Sequence, residues 1–432
     1  MRGAVYGVAP SFATAAIDDL SAPSIAQIVD QHEFGMFYEK RVESMVARLA
    51  AGKRYRIPML QPIPAKTRDG FLDAIRQSVV NLHQSNHIVD PKSGKRISFG
   101  LVRMANINPA VMVALHLCES VPDARIACYH SQHMPLARFH IERRLDYILG
   151  RNNGNDHIFD DLEIRQSIDR SQVENVIFVV VATPVEEIGR DHDFDWAVIE
   201  PSSSQSIVQT SGRVNRHRLV ETVHQNVAIL QFNWREIRRE KAVFCGPGLE
   251  TSDDACVYAS HDIAQLIDWE SFDAVDARLR FPDHNCMHKF AIYDDRNIQS
   301  ATEKWMGFQF ADAKKNGHLW MCADLYKQTP LREKQIKLEI TLPDIERPAE
   351  MLVKSSASPQ EEVSRKFAIG NAAGNAWLYL SDADLCALAD QAHVSIKDGL
   401  TATVTGSMDS LSSNKFDLQR HLNFGFFRPP VA

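Results

Sequence analysis

Val176-Ile177-Phe178-Val179-Val180-Val181 is the stretch whose reading decides the fold. A strand with one wet face alternates apolar and polar residues. A continuous apolar run, β-branched at all but one position, is what a strand covered on both faces needs. The run gives way at once to a polar loop, Ala182-Thr183-Pro184-Val185-Glu186-Glu187-Ile188-Gly189-Arg190-Asp191, and a second short apolar run follows at 196–199. Working outward, similar runs at 97–102, 124–129 and 227–231 read as further strands. Residues 109–120, 135–149 and 206–216 carry apolar residues at helical spacing. Strand and helix thus alternate over 86–235, which predicts an α/β unit with a parallel sheet covered by helices on both faces.

The flanks read differently. Residues 1–85 are mainly helical in pattern. Val42, Met45, Val46 and Leu49 fall at helical spacing within 37–49, as do Phe71, Leu72, Ile75, Val79 and Leu82 further on. Pro58, Pro62 and Pro64 break regular structure between them. From 236 to 345 the pattern loosens around Gly246-Pro247-Gly248 and reads as linker and accessory helices. Residues 343–358 are rich in Pro, Ser and Glu. Strands at 376–380 and 400–405 around a helix at 382–391 then predict a small α+β C-terminal domain over 346–432.

The chain's 432 residues are enough for two or three domains. Its 48 Lys plus Arg are outnumbered by 55 Asp plus Glu, a net charge of −7, so overall charge does not advertise a nucleic-acid binder. A local basic groove can still sit on an acidic protein. Arg213, Arg216, His217 and Arg218 make one candidate patch, and 235–241 another, with a solvated helix face as the alternative for the second. No apolar run approaches the ~20 residues of a membrane span. The cysteines at 118, 128, 245, 256, 286, 322 and 386 form no C-x-x-C pair, which suits reduced thiols in a cytoplasmic protein.

Gln209-Thr210-Ser211-Gly212-Arg213-Val214-Asn215-Arg216 fits Q-x-x-G-R-x-x-R. Two arginines three apart on a helix lie on one face, and there they can meet charge that develops on a phosphoryl group in flight. The order of strand, loop, short strand and arginine helix resembles motifs V and VI of a superfamily-two helicase. Residues 182–203 narrow the resemblance to the CRISPR-associated helicase–nuclease of type I systems, in its type I-F form. Most relatives in that family carry Gln where this chain has Pro184 and Leu where it has Arg190, and the I-F form tolerates both. Tyr129-His130-Ser131-Gln132-His133 resembles a further segment of the same lobe, so the likeness runs from about 97 to 218.

The resemblance implies a RecA-like second helicase lobe over 86–235, with 1–85 as an interlobe segment. It implies catalytic roles for Arg213, Arg216 and Gln209, nucleotide contacts at Glu187, Gly189, Asp191 and Gly212, and DNA-backbone contacts at Thr183, His130 and Ser131. Glu187 and Asp191 could equally be loop caps, and His130 a satisfied structural histidine. The implied cofactors are ATP and Mg2+; the implied partners are single-stranded DNA and a crRNA-guided surveillance complex. No G-x-x-x-x-G-K-[ST] phosphate loop and no D-E-x-H motif is found, since Gly52-Lys53 and Gly94-Lys95 lack the leading glycine. The first helicase lobe and the HD nuclease domain are therefore expected as further partners, and the isolated chain is expected to hydrolyse little ATP. His261-Asp262 and His284-x-Cys286-x-His288 read as chance rather than metal ligands. Outside this class stands a non-catalytic module that docks DNA or the surveillance complex, and half of another superfamily-two helicase is a third reading.

Overall fold

The structure, a computed structural model, describes residues 43–44, 47–49, 51–187, 189–248, 250, 257–280, 290–294, 296, 336–344, 346–356, 358–370, 374–406 and 418–429. The expected helix at 37–49 lies largely outside these residues, as do His284, Cys286 and His288.

Among the described residues the central feature is a seven-stranded sheet. Its strands are β1 (Pro58–Gln61), β2 (Ile88–Val89), β3 (Arg96–Arg103), β4 (Ala124–Tyr129), β5 (Asn175–Ala182), β6 (Trp196–Ile199) and β7 (Val227–Leu230). They run in the order β1-β7-β6-β3-β5-β4, every neighbouring pair parallel, with β2 antiparallel beside β3. Helices cover it: α1 (Arg68–Ser85), α2 (Ile107–Ser120), α3 (Pro135–Ile148), α4 (Leu162–Arg170) and α5 (Ser204–Ser211). The apolar run of β5 explains the layering. Val176, Phe178, Val180 and Ala182 enter one buried cluster, and Ile177, Val179 and Val181 enter the other, because successive side chains point to opposite faces. Gly100 on β3 makes room for the Trp196 indole: a Cβ there would stand 2.1 Å from it, and the indole donates to Ser98 Oγ at 3.0 Å.

The sheet takes in more chain than expected. β1 lies ahead of residue 86 and pairs with β7, while α1 buries Phe71, Ile75 and Val79 under the sheet. The sheet layer thus extends across the expected boundary at 85. Residues beyond 235 also join it, since Tyr258, Ile263, Leu266, Phe272, Leu279 and Phe290 belong to the core cluster that holds Phe178. At 376–380, expected as a strand, there is one parallel bridge, Ile126 to Ala376, and Trp377 lies edge-on to Phe178 at 5.0 Å. This segment covers the open edge of β4.

The C-terminal part builds a separate buried cluster, which also takes in Met134 and Leu136 at the start of α3. A four-stranded sheet has the order β10-β9-β8-β12, from β8 (Ile336–Thr341), β9 (Glu350–Ser355), β10 (Ser358–Lys366) and β12 (Thr401–Gly406). Thus 343–358, rich in Pro, Ser and Glu, holds a strand, and the sheet starts before residue 346. Three short strands, β11 (Ala368–Gly370), β13 (Gln419–His421) and β14 (Gly425–Phe427), and helix α6 (Asp382–Gln391) complete it. No helix among the described residues is long and apolar enough to cross a membrane.

Candidate functional site

In an open parallel sheet the loops at the carboxyl ends of the strands are where ligands bind. Here one such loop runs down across the sheet to meet a second segment beside the amino ends of β6 and β1. The first leaves β5 at Ala182, makes a short turn over Pro184–Glu186, and swings back through Gly189, whose φ of +69° suits a residue without a Cβ. The second is the turn after α5. This helix starts cleanly, because Ser203 and Ser206 cap each other's backbone N–H at 3.0 and 3.2 Å. A bridge between Phe194 and Val214 closes the two loops together, Phe194 N donating to Arg213 O and Asn215 N to Phe194 O.

The helix ends at Gly212, not at 216, so Arg213 and Arg216 do not project together from a helix face. They follow the helix in a turn whose Asn215 has φ +49°. Arg213 is folded down onto the first loop, only 6% exposed, where its guanidinium donates to Glu187 O at 2.8 Å and to Arg190 O. Burial lowers its pKa, only partly offset by the charge of Glu186. Arg216 points outward. Its Nε donates to Asp191 Oδ1 at 2.6 Å, with the side chains 40% and 65% exposed, and this hydrogen bond lowers the Asp191 pKa. Gln209 is half-buried near the C-terminal end of α5, and Gly212 caps it.

Glu187 carries its own buried partner. Arg103, the last residue of β3, donates Nε to Glu187 Oε1 at 2.6 Å and Nη1 to Glu200 O at 2.8 Å. The side chains are 0% and 7% exposed. Thr210 Oγ1 reaches the same carboxylate at 3.5 Å. Beneath the arginine turn, Asp193 accepts from the backbone N–H groups of Arg216, His217 and Arg218 and from the Arg218 guanidinium. Asp195 holds Arg218 and Arg151 at 2.6 and 2.7 Å. Burial alone would raise the pKa values of both aspartates; Arg218 for Asp193, and Arg151 for Asp195, outweigh it and hold them low. His192 sits between Glu186 at 2.6 Å and Asp146 at 2.9 Å. Its burial disfavours the charged imidazolium, but Glu186 prevails and the pKa is raised.

The expected DNA-side residues lie on the adjacent strand ends. Thr183 is buried and donates its backbone N–H to Tyr129 O at 3.1 Å, while Ser131 is exposed. His130 is fully enclosed: its Nε2 meets Phe424 O at 2.7 Å, its ring stacks on His133, and burial pushes its pKa well below 6.5. Its ring therefore offers no surface to a DNA strand in this conformation, and it ties the sheet to the C-terminal part. In the 235–241 patch, Arg235 and Arg238 share Glu240. His261 bridges Glu250 at 2.7 Å and Glu236 at 3.3 Å, and Asp262 caps the turn at Ile263–Leu266. Among the described residues no group of three or more His, Cys, Asp or Glu side chains gathers to hold a metal ion.

Sequence reasoning thus found Glu187, Asp191, Arg213 and Arg216, which the structure brings together. It missed Arg103, Arg151, Asp193, Asp195 and His192 as parts of the same assembly. The alternating Asp191-His192-Asp193-Phe194-Asp195 was the available signal, since strand-like alternation aims its acids to one side.

A parallel sheet with helices on both faces, whose acidic loop after β5 is gripped by an arginine turn, is the α/β architecture expected of a RecA-like lobe. Part of the chain is similar to known proteins of one kind. Residues 96–219 match the family model described as CRISPR-associated nuclease/helicase Cas3, C-terminal. The Cas3 of subtype I-F/YPEST from Pectobacterium atrosepticum is 40% identical over 228 residues, 50% of this chain and 20% of that protein. That of Pseudomonas aeruginosa is 38% identical over 207 residues, 47% of this chain and 19% of that protein. These matches support a Cas3 C-terminal portion of the subtype I-F kind, and the chain spans about a fifth of the length of those relatives. The solved structure of T. fusca Cas3 with AMPPNP aligns over 85% of this chain and 38% of its own, at TM-score 0.42 and 12% identity.

Proposed function

We propose that this chain supplies the second-lobe side of the ATP site in a CRISPR-associated DNA helicase–nuclease. What supports the reading is one observation: an exposed arginine, Arg216, held by a single exposed carboxylate, on a turn that five N–H donors fix to the buried Asp193. An arginine so placed can exchange Asp191 for the charge developing on a transferring phosphoryl group. Arg213 and Gln209 stand behind it, Arg213 shaping the loop that carries Glu187, Gly189 and Asp191, with Gly212 letting the turn follow the helix closely. Ser131 is exposed at a strand end where a single-stranded DNA backbone would pass, with Thr183 buried at the neighbouring strand end.

The nucleotide would meet this turn as an anion. The described residues offer no ligand set for Mg2+, so the metal would be held by the phosphates and by a first lobe on another stretch of protein. ATP hydrolysis would drive movement along DNA, a crRNA-guided complex would recruit the enzyme, and an HD nuclease domain would cut. The protein would work in the cytoplasm.

The test is ATP hydrolysis stimulated by single-stranded DNA. The chain is assayed alone and mixed with a protein carrying the first lobe and HD domain of a subtype I-F relative. Activity only in the mixture, and lost in Arg216→Ala, is the expected result. A folded mixture without activity that still binds single-stranded DNA would replace this reading with a non-catalytic docking module.

A further inference from the structure

We infer that Arg103 is a positioning residue for the arginine site, acting through Glu187 on the carbonyl cradle that holds Arg213. This rests on the proposed second-lobe role and goes a step beyond it, since Arg103 lies on a strand outside both signature loops. The geometry is a relay. Arg103 at the end of β3 is fully buried, so it can touch neither solvent nor nucleotide. Its Nε fixes Glu187 Oε1 at 2.6 Å; the backbone oxygen of that same Glu187 accepts from Arg213 Nη2 at 2.8 Å. Thr210, on α5, approaches the Glu187 carboxylate from the arginine side. Strand, acidic loop and arginine turn therefore share one residue, Glu187.

Packing alone does not account for the pair. Burying two charges costs desolvation that their attraction barely returns, and apolar side chains of similar volume usually stabilise a fold as well or better. Arg103 also leaves Nη2 without a hydrogen-bond partner, a further penalty that a shape-filling residue would avoid. The pair does give direction: a guanidinium donor and a carboxylate acceptor lock Glu187 in one orientation, and so fix where its carbonyl points. Loss of that orientation frees Arg213 from one of its two carbonyl partners and loosens the turn carrying Arg216. A displacement on the order of 1 Å at a catalytic group costs roughly a hundredfold in rate.

The experiment compares Arg103→Met, Glu187→Met, the double variant Arg103→Met/Glu187→Met, and Arg103→Lys. Each is measured in the full chain for thermal midpoint and amide hydrogen exchange over 212–218. Each is then measured in the reassembled mixture for kcat and KM of ATP hydrolysis. The single Met variants should lower the midpoint, because each strands a buried charge. The double variant should recover most of the midpoint yet keep fast exchange at 212–218, with kcat about tenfold or more down and KM within about threefold. Arg103→Lys should regain part of kcat. A double variant with wild-type exchange and kcat would overturn the inference and leave the pair a structural one. If the wild-type mixture hydrolyses no ATP, the second-lobe reading fails. The exchange data then still decide the relay, which falls if Arg103→Met leaves 212–218 protected as in the wild type.

Discussion

Replacing Asp193 by Asn removes one charge and almost no volume. The Asp193 side chain has no exposed surface. Its Oδ1 accepts from Arg216 N at 3.0 Å and Arg218 Nη2 at 2.7 Å, and its Oδ2 from His217 N at 3.0 Å, Arg218 N at 3.3 Å and Arg218 Nε at 3.0 Å. Whichever way the new amide turns, its NH2 faces two or three N–H donors. Each orphaned donor costs roughly 1–3 kcal/mol and the terms do not simply add. Arg218 keeps Asp195 at 2.6 Å, so it is not left wholly unpaired. A loss of about 3 kcal/mol is the expected outcome, within the range for breaking one arm of a buried ionic network. Urea unfolding of the variant against the wild type measures it. Amide exchange locates it: protection at 216–218 should fall by roughly two powers of ten, since 1.4 kcal/mol is a factor of ten. The sign with pH is fixed as well. The folded pKa of Asp193 is depressed, so its contribution is present above the unfolded value of roughly 3.9 and fades as pH falls through the folded one. The difference between wild type and variant should therefore shrink in acid. A loss under about 1 kcal/mol at neutral pH, with 216–218 still protected, would refute the view that Asp193 organises the arginine turn.

Other outcomes follow from the same structure. Gly100→Ala should be among the most damaging single-methyl additions, costing about 1–3 kcal/mol in unfolding experiments, because the new Cβ meets the Trp196 indole at 2.1 Å between packed strands. Asp191→Asn, by contrast, loosens only an exposed pair and should shift stability by no more than about 1 kcal/mol, so the two variants differ clearly in denaturation midpoint. His130 and His133 are buried neutral, His133 with a pKa pushed down to about 4. Their stabilising contribution is complete above the unfolded value of roughly 6.5 and is lost as pH falls from there towards 4. His133→Gln should flatten that part of the stability–pH curve. His192, with its pKa raised by Glu186, has the opposite slope: its contribution is complete below roughly pH 6.5 and is lost as pH rises through the raised value, which His192→Gln should abolish.

The parallel sheet was readable because its strands carry the apolar signal themselves. Trp196–Ile199, Ala124–Tyr129 and the helix Asp382–Gln391 stand where their composition puts them. β1 was hidden by three prolines. Pro58 opens an edge strand, where a missing N–H is tolerated, and so marks a strand rather than a break. The arginine helix was drawn too long because Gly212 keeps a helical φ of −60°, and only Asn215 at φ +49° turns the chain away. In the site, Arg216 and Asp191 were legible from motif spacing. Arg103 was not, since its pairing spans 84 residues and no local pattern marks a charged residue as buried. Asp193 and Arg218 are likewise defined by a contact across two loops.

The edge strand β1 also sets an order of assembly. Ile57 donates to Asn226 Oδ1 across 169 residues, and the β1–β7 ladder follows directly from there. A chain growing from the ribosome exposes β1 and the apolar face of α1 long before β7 exists to receive them. Chain closure over such a distance is slow, and unpaired strands left waiting are prone to pair with neighbours. An expression clone trimmed to begin at residue 86 would fare no better: it would leave Val227–Leu230, buried along its whole length, as a bare rim of the sheet. Keeping residues 57–85 attached is the practical condition for obtaining this unit as a monomer.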